Sequence, residues 1–255
     1  MKMDCGCSAA RLKVCHFKNG CKIAACNRAL RVCLPLLTFA VLVATTVPAV
    51  AQAPPAPPAR FVVVLDAAHG GSDAGGRLGD HLLEKSFTLA LSVRLRSLLG
   101  ARGIQVVTTR ESDATVEPDK RAEIANFAQA QACLSLHASQ SGSGVHLFTS
   151  SLAPVQPVRL VPWKTAQAAW VSRSLALEGV LNSVLQHTGM NVTLGRTSLS
   201  PLDSMTCPAV AVEIAPERDA DHEILNGLDD AGYQARMAAA LAAALVEWRA
   251  EARQP

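Results

Sequence analysis

The amino-acid sequence predicts a single α/β domain built on a mostly parallel or mixed twisted sheet, with helices on both faces. Apolar runs typical of buried strands alternate along the chain with segments whose apolar residues recur at helical spacing. The hydrophobic content, 49% of 255 residues, is sufficient to bury a large core, and no internal repeat indicates a second domain.

The first 51 residues are interpreted as a leader that is removed on export. Basic residues precede an apolar run, Leu34 to Val47, and Ala49-Val50-Ala51 is the small-residue pattern that signal peptidases cut. An uncleaved anchor is the alternative, but a membrane span needs ~20 residues and this run is shorter. Residues 1–27 are unusually long for a leader, and a start site assigned too far upstream explains them better than a zinc-binding tail. We therefore expect an exported protein, periplasmic or extracellular, with no stable membrane span after processing.

The charge of the chain changes sign once this leader is set aside. Residues 1–51 contain seven of the 24 Lys and Arg residues and one of the 21 Asp and Glu residues, so the remainder has a net charge of −3. Because that remainder has no basic run, a nucleic-acid partner is not expected. Residues 52–60 are rich in Pro and Ala and predict an extended linker. The catalytic domain is accordingly predicted over residues 61–250.

The first four predicted elements follow in strict alternation. The apolar run VVVL predicts a buried strand that ends in Asp66 and a glycine-rich loop. IQVVTTR predicts a second strand, and EPDKRAEIANFAQAQ, which opens acidic, a second helix. Between the two strands, EKSFTLALSVRLRSLLGARG predicts a helix that ends at glycine, with apolar positions Phe87, Leu91, Val93, Leu95 and Leu98.

The second half of the domain is predicted to continue with strands and helices, beginning with two strands in succession. ACLSLHAS and GVHLFTS are separated by a short Ser/Gly turn, which predicts two neighbouring strands. CPAVAVEIA predicts another buried strand, and AGYQARMAAALAAALVEWRAEA a terminal helix. Between GVHLFTS and CPAVAVEIA, one long helix is predicted from about Thr165, with its apolar positions against the sheet: Ala169, Val171, Leu175, Leu177 and Leu181.

Three predicted strands end in groups that can bind a metal or carry a proton, namely His69, His137 and Glu213. The carboxyl ends of parallel strands meet at one edge of a sheet, so these side chains are expected to converge. Glu84, at the start of the first predicted helix, lies near the same edge. Two imidazoles and a carboxylate are the ligand set of catalytic zinc sites, and a second carboxylate would then carry the proton.

Two histidines and two cysteines leave alternatives open. His81 is close enough in sequence to Glu84 to replace it as a ligand, whereas His146 lies mid-strand and is expected to face a sheet surface. Cys133 and Cys207 both lie early in apolar strand-like runs. In an exported protein they could form a disulfide, and two buried free thiols are an alternative at least as good.

From Phe61 to about Arg249 the chain resembles the zinc-dependent N-acetylmuramoyl-L-alanine amidases of the amidase-3 type. The family's D-P-G-H-G-G-x-D-x-G motif corresponds to DAAHGGSDAG, its G-x-x-E-K-x segment to HLLEKS and its S-x-H-A-N motif to SLHAS. TRESD, KRAEIAN and PAVAVEI match further family segments in the same order. The chain departs from the pattern before His69, at Ser139, where the family has asparagine, and after Glu213.

The resemblance implies a zinc ion held by His69, Glu84 and His137, with Glu213 as the general base. Candidates for orienting these ligands or for contacting substrate are Asp66, Asp73 and Arg110. The implied substrate is peptidoglycan, cut between the lactyl group of N-acetylmuramic acid and L-alanine of the stem peptide. Two other functions remain open, a different zinc hydrolase on the same scaffold, such as a carboxypeptidase-like enzyme, and an inactive wall-binding protein.

Division-associated members of this family carry an inserted helix that covers the zinc until a regulator removes it. The corresponding segment here, TSSLAPVQPVRLVPWK, contains three prolines, Pro154, Pro157 and Pro162, each unfavourable in a helix interior. We therefore expect an extended surface loop, an open site that requires no activator, and a monomeric enzyme.

Overall fold

The computed structural model describes residues 60–156 and 161–252. The predicted leader, its cleavage site after Ala51 and the linker as far as residue 59 lie outside the described residues. None of the helices in the described part of the chain has the length and apolar content that a membrane crossing requires. The elements are, in order, β1 (Val62–Ala67), α1 (Glu84–Gly100), β2 (Gln105–Thr108), α2 (Pro118–Phe127), β3 (Ala132–Ala138), β4 (Val145–Ser150), a 3₁₀ helix (Trp163–Ala169), α3 (Val171–His187), β5 (Val192–Thr197), a second 3₁₀ helix (Leu202–Ser204), β6 (Ala209–Ile214), β7 (Glu217–Arg218), β8 (Ile224–Asn226) and α4 (Ala231–Glu251).

Six of these strands form one mixed sheet in the order β2-β1-β3-β6-β4-β5. Strands β1, β2, β3 and β6 are parallel, whereas β4 pairs antiparallel with β6 and parallel with β5. Two apolar clusters lie on opposite faces of the sheet, one formed with α1, α3 and α4 and the other with α2 and the second 3₁₀ helix. The predicted fold class, a mixed α/β sheet with helices on both faces, is confirmed.

The central strands are buried on both faces, which is why their sequences are continuous apolar runs. In β1, for example, Val63 and Leu65 pack against the three-helix side, while Val64 packs on the α2 side. The prediction that Leu175 of α3 packs against the sheet is wrong, because its side chain is exposed, and Val93, one of the apolar positions of α1, is exposed as well. Each lies off the helical face defined by its buried neighbours.

The predicted pairing of the third and fourth strands is wrong, because β6 lies between β3 and β4. The residues of β6 are almost all buried, whereas His146 and Phe148 of β4 are only half-buried. A strand that is apolar on both faces takes the central position, and the more polar β4 lies outside it. Strand β5 and the short β7–β8 hairpin were not predicted, since β5 is mostly exposed and lacks an apolar run.

The predicted long helix from Thr165 is interrupted. A 3₁₀ helix ends at Ala169, and α3 begins only at Val171. The buried side-chain amide of Gln167 donates to the carbonyl oxygens of Met205, at 2.9 Å, and Cys207, at 3.1 Å. These bonds attach the 3₁₀ segment to the chain that precedes β6, and Trp170, with φ −114° and ψ −7°, separates that segment from α3.

Cys133 and Cys207 form a disulfide. The bond joins the second residue of β3 to the segment just before β6, across 74 residues of sequence. Of the two alternatives open from the sequence, the structure has the bridged one.

Candidate metal centre

The candidate site lies at the carboxyl ends of the parallel strands. His69 follows β1, His137 is near the end of β3, and Glu213 is near the end of β6. His137 and Glu213 are direct partners in the β3–β6 ladder. Residues paired in this way project from the same face on strands ~4.8 Å apart, so Glu213 lies beside His137.

Glu84, the first residue of α1, brings a carboxylate between the two histidines. Its Oε2 lies 3.1 Å from Nε2 of His69, and its Oε1 lies 3.0 Å from Nδ1 of His137. One ligand atom from each of the three residues lies within 4.8 Å of the others. Tetrahedral zinc with bonds of ~2.0–2.1 Å separates its ligand atoms by roughly 3.3 Å, so this donor set fits zinc in type and spacing.

The carboxylate of Glu84 is held in the ionised form that a metal ligand must have. Its burial alone would raise the pKa. Hydrogen bonds from His137 and from the backbone N–H groups of Gly76, at 2.8 Å, and Ala138, at 3.2 Å, outweigh burial and lower the pKa of Glu84 to about 2. This carboxylate is therefore charged at neutral pH without help from a bound cation.

The glycine-rich loop after β1 closes around these ligands. Gly75 has a φ of +65°, and a Cβ there would lie 2.6 Å from Cδ2 of His69 and 2.7 Å from Oε2 of Glu84. Both the backbone conformation and the close approach therefore require glycine.

Asp73 orients His69. Its Oδ2 lies 2.8 Å from Nδ1 of His69, and the hydrogen bond with His69 lowers the pKa of Asp73. Because an ionised carboxylate only accepts, the Nδ1–H of His69 donates and its Nε2 lone pair faces Glu84.

Asp66 lies behind His137 and does not contact His69. Its buried carboxylate accepts hydrogen bonds from Thr109 Oγ1 at 2.7 Å, Arg121 Nη1 at 2.8 Å and Ser135 Oγ at 2.9 Å. The hydroxyl of Ser135 lies 3.4 Å from Nε2 of His137, so Asp66 reaches that ligand only through Ser135.

Arg110 is buried and supports the backbone around the site. Its guanidinium donates to the carbonyl oxygens of Ala67, Ala68 and Lys85. These bonds connect the end of β1 to the first turn of α1, which carries Glu84.

The two other histidine candidates, His81 and His146, lie in different surroundings. His81 is exposed and lines a different cavity, together with Ile224 and Leu225. His146 faces a sheet surface as expected, but that surface carries Glu213, whose Oε1 lies 3.0 Å from His146 Nδ1. This contact was not predicted, because it depends on the pairing of β6 with β4, which no local pattern in the sequence indicates.

A cleft of about 260 Å³ adjoins the ligands. Its walls come from the loop after β1, the segment before α2 and the turn after β5, and include His69, Asp73, Thr115, Glu117, Ser200 and Pro201. The lining offers hydroxyl and carboxylate groups suited to polar parts of a substrate.

The family model for N-acetylmuramoyl-L-alanine amidases of the amidase-3 type matches residues 63–247. The chain belongs to the amidase-3 family. The matched range contains the candidate ligand cluster and Glu213, and the family match confirms the resemblance inferred from the motifs. Amidase-3 proteins are hydrolases.

Curated relatives of this amidase-3 chain bear the same family name. An N-acetylmuramoyl-L-alanine amidase of Mycobacterium tuberculosis is 29% identical over 202 residues, which cover 68% of this chain and 82% of that protein. A germination-specific N-acetylmuramoyl-L-alanine amidase of Bacillus subtilis is 34% identical over 105 residues, 34% of this chain and 44% of that protein. This last match spans less than half of the relative's length.

Solved structures share the amidase-3 fold. The catalytic domain of an N-acetylmuramoyl-L-alanine amidase from Bacillus (Paenibacillus) polymyxa superposes with a TM-score of 0.58 at 25% identity, covering 74% of this chain and 98% of that one. An N-acetylmuramyl-L-alanine amidase from Mycobacterium smegmatis gives 0.59 at 22% identity, covering 75% and 97%.

Proposed function

We propose that the protein is a zinc-dependent amidase that hydrolyses peptidoglycan between the lactyl group of N-acetylmuramic acid and L-alanine of the stem peptide. The observation that supports the proposal is the cluster of His69, Glu84 and His137 beside Glu213, in a chain of the amidase-3 family. The three clustered residues would hold the zinc.

A zinc ion bound there would supply Lewis-acid polarisation of the amide carbonyl and a lowered pKa of water. Side chains of the protein transfer the proton and orient the ligands. Glu213 accepts the proton of the attacking water and returns it to the amide nitrogen as the C–N bond breaks, which leaves a carboxylate and a free amine. Asp73 keeps His69 in one tautomer, and Ser135 supports His137 from behind.

We also propose that the enzyme acts outside the cytoplasm. A disulfide such as Cys133–Cys207 persists in oxidising compartments, where peptidoglycan is exposed. The predicted export leader is consistent with this location.

The decisive experiment is mass spectrometry of muropeptides after digestion with the purified protein. Intact stem peptides with a new N-terminal L-alanine are the expected products. Release of terminal D-alanine with the lactyl amide intact would instead indicate a carboxypeptidase. Binding to insoluble peptidoglycan without any product would indicate an inactive wall-binding protein.

A further inference from the structure

His146 and Glu213 form a side-chain pair across two antiparallel strands. They are direct partners in the β4–β6 ladder, so both side chains project from the face that carries His137. Nδ1 of His146 lies 3.0 Å from Oε1 of Glu213. Neighbouring strands therefore place His137, Glu213 and His146 in one row.

The imidazole of His146 is held on its remaining sides. Gly142 has a φ of +83°, and a Cβ there would lie 2.2 Å from Cε1 and 2.6 Å from Nε2 of the ring. The ring of Phe148 packs edge-on against it, with centroids 6.5 Å apart. Only 16% of the His146 side chain is exposed. The loop after β3 thus covers one edge of the imidazole, and the Nδ1 edge faces the carboxylate.

His146 does not belong to the ligand cluster. It lies two strands from His137, a distance of ~9.6 Å at the usual strand spacing. The Nδ1 atom of His146 is already paired with the carboxylate of Glu213.

We propose that His146 is a positioning residue for the general base. Its Nδ1–H donates to Oε1 of Glu213, which fixes the carboxylate plane and leaves Oε2 free for the proton of the attacking water. This role rests on the proposed function of Glu213.

The proton balance requires no change of charge on His146. Oε2 of Glu213 takes one proton from water and passes the same proton to the departing amine, while the Nδ1–H bond to Oε1 is kept throughout. Without this bond the carboxylate can rotate, and fewer enzyme molecules present Oε2 correctly to the water.

Kinetics of two matched variants test this role. In His146→Asn the amide nitrogen replaces Nδ1 as a donor, whereas His146→Leu fills similar space without one. We expect His146→Leu to lower kcat about 10–100-fold with KM within about twofold, by analogy with the loss caused by removing the partners that orient metal-binding side chains. His146→Asn should recover most of kcat. His187→Asn, on the exposed end of α3, is the control and should match the wild type. Zinc content and thermal unfolding, measured for each, would identify loss of fold.

A second measurement does not depend on turnover. ¹⁵N NMR of histidine-labelled protein, recorded over a pH series until the neutral ring of His146 is observed, reports which nitrogen carries the proton. The expected tautomer is Nδ1–H. An Nε2–H tautomer would overturn the proposal, and so would a His146→Leu variant with full kcat. Absence of any product from the wild type would refute the proposed amidase function alone, since the tautomer would still decide whether His146 donates to Glu213.

Discussion

Glu213 differs from Glu84 in its surroundings, although both are carboxylates at the same sheet edge. Glu84 is buried and accepts from three donors, whereas about a third of the Glu213 side chain is exposed and its Oε1 faces His146. The buried carboxylate is suited to hold a cation, and the more open one to exchange protons with water.

Replacement of Glu213 by glutamine should abolish most turnover while the fold is kept. The amide retains an oxygen that accepts from His146 but cannot take a proton, so we expect kcat to fall ~10²–10⁴-fold with full zinc content. Glu223→Gln, at the exposed β7–β8 hairpin, is the control. Turnover of Glu213→Gln within about threefold of the wild type would assign the general base elsewhere.

Removal of one histidine should release the metal. His137→Ala deletes one of the three proposed ligands, and we expect zinc content after dialysis to fall well below one ion per chain. His81→Ala, the alternative ligand from the sequence, should retain zinc. The reverse pattern in metal analysis would replace His137 by His81 in the site.

The residues of the candidate site were predictable where the signal is local. A polar residue at the end of an apolar strand is visible in one stretch of sequence, as for His69 and Glu213. Contacts such as Ser135 with Asp66, or His146 with Glu213, join residues 69 and 67 positions apart and depend on strand order. That order cannot be obtained from periodicity within a strand.

At the scale of elements, the disulfide connects β3, which carries His137, to the segment just before β6, which carries Glu213. Closing a loop of 74 residues restricts the unfolded chain, and we expect Cys133→Ala/Cys207→Ala to lose about 2–4 kcal/mol of unfolding free energy. Urea unfolding of the variant and of the reduced wild type measures the loss. Equal midpoints with and without reductant would show that the bond contributes little.

The segment after β4 is the one expected from the sequence to leave the site uncovered. Its described residues 151–156 contain no helix and include the exposed Pro154, whereas Pro157 lies outside the described residues. We predict that the purified protein digests insoluble peptidoglycan without an activator. A variant shortened between Ser151 and Val161 should be no more active. A silent wild type with an active shortened variant would identify this segment as a lid.

At the scale of the whole molecule, packing of α3 against the sheet introduces a pH dependence of stability. Glu178 is buried, and one of its carboxylate oxygens has no hydrogen-bond partner among the described residues. Burial raises the pKa of Glu178 from 4.5 to about 7, although the nearby charge of Arg196 opposes the rise.

Between pH 4.5 and about 7, Glu178 keeps a proton in the folded state that it has lost in the unfolded state. The free energy of unfolding therefore falls as the pH rises from about 4.5 through 7 and stays reduced above. Glu178→Gln should be more stable than the wild type at pH 8, on the order of 2 kcal/mol, and the advantage should shrink towards pH 4. Thermal unfolding over this pH range measures it, with exposed Glu247→Gln as control. A constant difference between the two proteins would contradict the assignment.

The row of His137, Glu213 and His146 rests on backbone pairing between β3, β6 and β4, and none of the three depends on a loop for its spacing. The surrounding rim, by contrast, is made of connections that tolerate insertion and substitution. Rim loops can therefore be exchanged between homologous enzymes, or diverge during evolution, to change which wall fragments are accepted. The separation of Glu213, the proposed proton acceptor, from His137, a proposed metal ligand, would remain that of two adjacent strands.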